Sequence, residues 1–245
     1  MTLVKAEAAL QRQLLELADV DAELSRLTHR GSHLPEQQRY EELDAARRES
    51  AERFAALDIA LSDLDALIAR QESEVDSVRQ REERDRGLLD GGAVNAKQVE
   101  ELAHELGTLR RRRENLEDAL LEMMERREQL AADHDEGRRS VDKLEQEMAE
   151  AALARDAALA DIEGARAERS ARRAHLVAGL SPDLLEPYER QRASAGIGAA
   201  RLLNGRCGAC RIELDRGELA RISAAEADEV PRCPECRALL VRGAG

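Results

Sequence analysis

Val99, Leu102, Leu106, Leu109, Arg113, Leu116, Leu120 and Met123 follow one another in alternating steps of three and four residues. Apolar groups on that repeat line one stripe of a helix, and a stripe so narrow is buried only against another helix. The repeat continues through Leu130, Val141, Leu144 and Met148. Arg127, His134 and Gly137 interrupt it and predict looser packing there. Ala151, Ala154, Ala157 and Ala158 follow, small enough to predict close helix approach. Two earlier stretches carry the same pattern. The first runs from about Thr2 to Thr28 through Leu3, Ala6, Leu10, Gln13, Leu17, Val20, Leu24 and Leu27. The second runs to about Arg86 through Leu57, Leu61, Leu64, Ile68, Gln71, Val75 and Val78.

The breaks between these stretches set the topology. Gly31 and Pro35 predict a kink near 29–35, and Pro35 suits the first turn of a helix, where its missing N–H costs nothing. Gly87 to Gly92 reads as a turn, placed near 87–95. Asn95 with Gln98 has the spacing of a capping box that opens the third helix, which runs from about Ala96 to Val177. Segments 1–88 and 96–178 are nearly equal in length and share one short connection. An antiparallel pair buries both seams; a three-helix bundle or a parallel dimer would also do so, and the near-equal arms favour the hairpin. Composition agrees. Aromatics are 1% of 245 residues and charged residues 36%, too few and too many for one large globular core. Net charge is −13, but the regular seam argues against disorder. The reading is a mainly α chain: a long antiparallel coiled-coil hairpin over 1–180, then a short helix and a small β-rich, four-cysteine ribbon over 181–245. Ser181-Pro182-Asp183 starts the short helix, which carries Leu184, Leu185 and Tyr188 and ends at Ala195-Gly196-Ile197-Gly198.

All four cysteines lie in the last 39 residues, as Cys207-Gly208-Ala209-Cys210 and Cys233-Pro234-Glu235-Cys236, with 22 residues between the pairs. A two-residue gap lets both sulfurs of a tight turn face one ion, and two such knuckles make a closed tetrahedral set. The expectation is one structural zinc per chain, held by Cys207, Cys210, Cys233 and Cys236. Iron in a rubredoxin-like site and disulfides are the rivals. A shell closed by four thiolates leaves no position for a catalytic water. The spacer has room for a hairpin and a short helix around Arg216 to Ser223. Ligation should supply much of the folding energy of so small a module.

No other catalytic set stands out. His29 and His33 lie four apart at a helix break and read as exposed loop histidines. His104, His134 and His175 read as heptad or surface positions. Gly196 and Gly198 lack a third glycine and a preceding strand, so a dinucleotide site is excluded. No nucleophile has its base, and no small-molecule substrate is indicated. No run approaches the ~20 apolar residues of a membrane span, and the start lacks the apolar core of a signal peptide. The expected location is the cytoplasm, whose thiols favour metal ligation. Arginine supplies all but Lys5, Lys97 and Lys143 of 38 basic residues, as in GC-rich bacterial coding.

Charge bears on partners. Residues 181–245 hold ten acids and ten arginines, so the whole −13 falls on the first 180. An acidic hairpin repels nucleic acid. The ribbon still offers Arg201, Arg206, Arg211, Arg216, Arg221, Arg232, Arg237 and Arg242. Arg206, Arg211, Arg232 and Arg237, beside the cysteines, are the candidate partner or nucleic-acid contacts. Arg110 to Arg113 form one basic run, read as a solvated helix face. The readings are a protein-interaction adaptor or chaperone-like scaffold, or a transcription-linked nucleic-acid-binding ribbon with the coil as spacer; the acidic balance and missing aromatics favour the first.

Asn95-Ala96-Lys97-Gln98, Tyr188-Glu189-Arg190, the two knuckles, Ile212-Glu213-Leu214 and Leu239-Leu240 together resemble the bacterial C4-type zinc ribbon domain family. The resemblance implies a helical hairpin followed by a ribbon with zinc on the four cysteines. It also implies a chaperone or adaptor role, seen in some members of flagellar or type III secretion systems that bind an alternative sigma factor or RNA. Arg237 stands where the family often has Gly, and Val241 where it often has an aromatic.

Overall fold

The computed structural model describes residues 4–92 and 94–242. In chain order the elements are β1 (Val4–Lys5), α1 (Ala8–Ser32), α2 (Pro35–Asp90), α3 (Ala96–Ala178), α4 (Pro182–Ala195), β2 (Ala199–Leu203), β3 (Arg206–Cys207), α5 (Arg216–Ala224), β4 (Glu229–Val230) and β5 (Leu239–Arg242). The fold is mainly α, with an antiparallel coiled-coil hairpin of α2 on α3 and a small C-terminal β-rich ribbon. The residues divide into two compact units, Gln38–Ala152 and Met1–Gln37 with Leu153–Gly245.

In the Gln38–Ala152 unit the two arms bond to each other directly. Ser50 Oγ donates to Ser140 Oγ at 3.1 Å and Gln71 Nε2 to Leu116 O at 3.0 Å. Leu64, Val75 and Val78 are buried on one arm, Leu106 and Leu109 on the other. Arg113 holds its seam position because buried Glu82 faces it, Nε to Oε1 at 3.2 Å. The stretch expected to pack loosely is filled by the chain's single phenylalanine, which the seam reading left out. The Phe54 ring lies 4.7 Å from that of His134. A Cβ at Gly137 would sit 3.5 Å from both Phe54 and Leu57, so the missing side chain makes room for them. Val99, counted in the seam, is 43% exposed.

Boundaries moved by a few residues for local reasons. The turn expected from Gly87 begins later: α2 continues to Asp90, Gly91 N–H closes on Gly87 O at 3.0 Å, and Gly92 takes the left-handed φ of 65°. Ala93, within that expected turn, lies outside the described residues. Asn95 and Gln98 exchange the two bonds of a capping box, at 2.9 and 3.0 Å. The kink is a break between Ser32 and Pro35. Of the four alanines expected at a close approach, only Ala158 is buried, in a cluster with Leu34 and Ile162.

The first helix starts at Ala8 rather than Thr2. Val4–Lys5 instead pairs antiparallel with Glu229–Val230, and Ala6 N–H donates to Asp228 O at 2.6 Å. Val4 is thereby buried in the core beside Val230; Thr2 and Leu3 lie outside the described residues. That core is shared. Leu14, Leu15, Leu17 and Val20 of α1 pack with Leu176 of α3, Leu184 and Tyr188 of α4, Ala199 of β2, and Leu239 and Val241 of β5. Two adjacent faces of α1 are covered, so Leu14 and Leu15 are buried although they lie off the heptad seam.

At its centre Asp21, 4% exposed, accepts from Tyr188 OH at 2.6 Å and meets Arg173 Nε at 2.7 Å and Arg192 Nε at 3.0 Å. Glu189 bonds the same two arginines. Burial, then the Asp21 carboxylate, push the Tyr188 phenol far above its ordinary value, so it remains a donor. Asp21→Ala would leave the buried Tyr188 hydroxyl without its acceptor and the two arginines with Glu189 alone, and should lower stability by about 1–3 kcal/mol in denaturant melts. Arg127→Ala removes an exposed pair with Asp65 at 2.9 Å and should leave the denaturation midpoint nearly unchanged, because solvent and salt screen such a pair.

Candidate metal centre

The ribbon's three-stranded sheet has the order β3-β2-β5, with β2 antiparallel to β3 and parallel to β5. Asn204 and Gly205, with φ of 48° and 78°, turn the chain from β2 into β3. Both angles are positive, as a tight primed hairpin turn requires. This delivers Cys207 to the end of β3, while Cys233 and Cys236 lie between β4 and β5.

The two knuckles share one hydrogen-bond pattern. Cys207 N–H donates to Ile212 O at 3.1 Å and Arg211 N–H returns to Cys207 O at 2.8 Å. Cys233 N–H donates to Ala238 O, and Arg237 N–H returns to Cys233 O, both at 2.9 Å. Closing each turn puts the residue after its second cysteine in the left-handed region: Arg211 has φ 63° and Arg237 φ 64°. An L residue there carries a steric penalty that glycine avoids. Gly208 meets a different demand. Its N–H donates to Arg201 O at 2.8 Å, and a Cβ would sit 2.8 Å from that oxygen.

All four sulfurs lie within 4.8 Å of one another. Cys207 Sγ is 3.8 Å from Cys236 Sγ, and Cys210 Sγ is 3.9 Å from Cys233 Sγ. A tetrahedron of sulfurs about 2.3 Å from a central ion has edges of about 3.8 Å, whereas a disulfide needs about 2.05 Å. The cysteines are free thiols. Burial pushes the Cys207 thiol up and Cys236 up to about 12, against backbone N–H groups of Cys210 and Ala209 on the first sulfur and of Ala238 on the second. Buried sulfurs surrounded by amide donors suit thiolates neutralised by a cation. The donor set is all sulfur, as soft divalent metals prefer. Leu214, Ile222 and Leu240 pack around Cys207 and Cys233 and exclude water.

Residues 17–196 match the family model of the CT398-like coiled coil hairpin domain, and residues 206–240 that of the C4-type zinc ribbon domain. The chain belongs to this hairpin-and-ribbon family. It is 53% identical to a Mycobacterium tuberculosis protein over 239 residues, 98% of each chain. A solved structure from Mycobacterium smegmatis matches with a TM-score of 0.86 at 56% identity, over 98% of this chain and 100% of that one. The CT398 structure from Chlamydia trachomatis matches with a TM-score of 0.66 over 96% of this chain and 98% of that one; at 16% identity this is a likeness of fold. The chain is therefore a zinc-binding structural protein, its ribbon placing four cysteines to hold one metal ion.

Arg206 pairs with Glu213 at 3.0 Å and Arg221 with Glu218 at 2.7 Å. The Arg242 guanidinium closes the end of α5, bonding Ile222 O at 3.0 Å, Ala225 O at 2.7 Å, Glu229 O at 2.8 Å and Glu226 O. Arg211, Arg232 and Arg237 have no ion-pair partner among the described residues. The four cysteines form the one group of three or more potential metal ligands among those residues. His29 and His33 stack with centroids 4.2 Å apart. Gly196, with φ 79°, caps α4. Sequence reading missed Gln191, whose Nε2 donates to Cys236 O at 2.6 Å. Leu184, Tyr188 and Gln191 fall at heptad spacing on α4, and that face would have pointed to it.

Replacing Arg237 with glycine should relieve its positive φ and stabilise the zinc-loaded ribbon by about 1 kcal/mol, read as a higher denaturation midpoint. Gly208→Ala should have the opposite effect, since its Cβ would meet backbone.

Proposed function

We propose that this chain is a non-catalytic adaptor whose zinc ribbon docks a partner protein. Cys207, Cys210, Cys233 and Cys236 are its zinc ligands, one ion per chain. Zinc would supply cross-linking of the two knuckles, and the closed sulfur set offers no place for substrate. The observation that carries the docking role is apolar exposure around the first knuckle: Leu203 is 56% and Ile212 47% exposed. Three of the ribbon's eight arginines are engaged within the protein, Arg206 and Arg221 with carboxylates and Arg242 with carbonyls, which thins the surface available to phosphates. No helix among the described residues is long and apolar enough to cross a membrane, and we infer a cytoplasmic location, where cysteines stay reduced and open to metal ligation.

The second reading, a nucleic-acid-binding ribbon, is favoured by Arg211, Arg232 and Arg237, which have no ion-pair partner among the described residues. A titration across salt separates the two. The adaptor should bind DNA or RNA weakly and lose it by about 150 mM salt, because its acidic residues oppose phosphate. Leu203→Glu with Ile212→Glu should abolish nuclease-resistant capture of a partner while zinc is retained. Salt-resistant, sequence-selective binding weakened by Arg211→Ala or Arg237→Ala would establish the second reading instead.

A further inference from the structure

We propose that Gln191, on α4 and outside the cysteine module, is a positioning residue for the metal site, so that the hairpin domain completes the ribbon's second knuckle. This rests on the four-cysteine ligand assignment above.

Gln191 is 7% exposed, and its side-chain amide donates to the Cys236 carbonyl at 2.6 Å. That carbonyl belongs to the peptide between the last cysteine and Arg237. A trans peptide is planar, with its C=O and N–H pointing opposite ways. One end of this peptide is held by Gln191, the other by Cys233 O, which accepts from Arg237 N–H at 2.9 Å. Together the two bonds fix the plane that follows the Cys236 sulfur, and they hold Arg237 at its unfavourable φ of 64°. Among the described residues no side chain donates to the matching Cys210 carbonyl in the first knuckle.

The donor is itself rigid. One helical turn earlier, Tyr188 is fully buried and bonded to Asp21 of α1, and Leu184 packs in the same core. Gln191 therefore reaches the knuckle from a helix anchored on the hairpin, whereas the ribbon match begins only at residue 206. Outer groups that orient metal ligands change affinity by about 10–100-fold when removed.

The test uses the full chain, with zinc affinity read by competition against a chromophoric chelator and site geometry read from the sulfur-to-cobalt bands of the cobalt-substituted protein. Gln191→Met keeps the volume and removes the donor; Gln191→Glu keeps the shape and sets a carboxylate against the carbonyl. Both should bind zinc at least about tenfold more weakly and shift the cobalt bands, with far-UV helix signal unchanged. Gln11→Met is the control for stability alone: Gln11 is also buried and donates to Ala6 O and Ala227 O, away from the cysteines. It should leave zinc affinity within about twofold of wild type, well short of an outer-shell loss. Wild-type affinity and unshifted bands in both Gln191 variants, or an equal loss in Gln11→Met, would overturn the proposal. A wild-type chain that shows no sulfur-to-cobalt bands would instead refute the ligand assignment.

Discussion

The buried Asp21 carboxylate is where three parts of the chain meet. It sits on α1, two arginines reach it from α3 and α4, and the Tyr188 phenol closes it. A charge this deep persists only with every partner in place. Around it lies the core that α1 shares with α3, α4, β2 and β5. With one phenylalanine and two tyrosines in the whole sequence, the protein has little bulky apolar surface. It places one of those tyrosines at full burial between hairpin and ribbon. Tyr188 and Glu189 thus serve an architectural purpose, since Glu189 bonds the same two arginines.

The ribbon is held at two levels. Around the cysteines, Leu214, Ile222 and Leu240 form a small cluster that cannot be expected to fold without its ion. Beneath it, β2 and β5 belong to the hairpin's core, and β1 supplies a strand from the opposite end of the sequence. The sheet therefore does not rest on metal alone. Arg242 adds a third tie, bonding the carbonyls at the end of α5. An arginine that looks like a surface cation in one dimension proves to be a helix cap.

Much of the hairpin was legible because its determinants are local and periodic. Leu57 to Val78 and Leu102 to Met123 lie three and four apart, and a helix turns that spacing directly into one buried face. The capping box at Asn95 and Gln98 is equally local. Phe54 was missed because its place depends on Gly137, 83 residues away in sequence. Leu14 and Leu15 were missed because only a second packing partner buries that face of α1. Val4 and Lys5 looked helical because nothing nearby announces β4, more than 220 residues further on.

By itself the sequence determined the helical arms and the pairing of four cysteines into two knuckles, and it favoured an antiparallel hairpin and a metal site over their rivals. Each follows from residue spacing acting over a few turns of chain: heptads for the seam, two-residue gaps for the knuckles. Only the tertiary structure decided what holds the ribbon to the hairpin. Asp21 with Tyr188, Gln191 with Cys236, and Val4 with Val230 join residues 45 to 226 apart. Such contacts form when the chain's ends are brought together, and no local pattern encodes which of many similar side chains will then face one another.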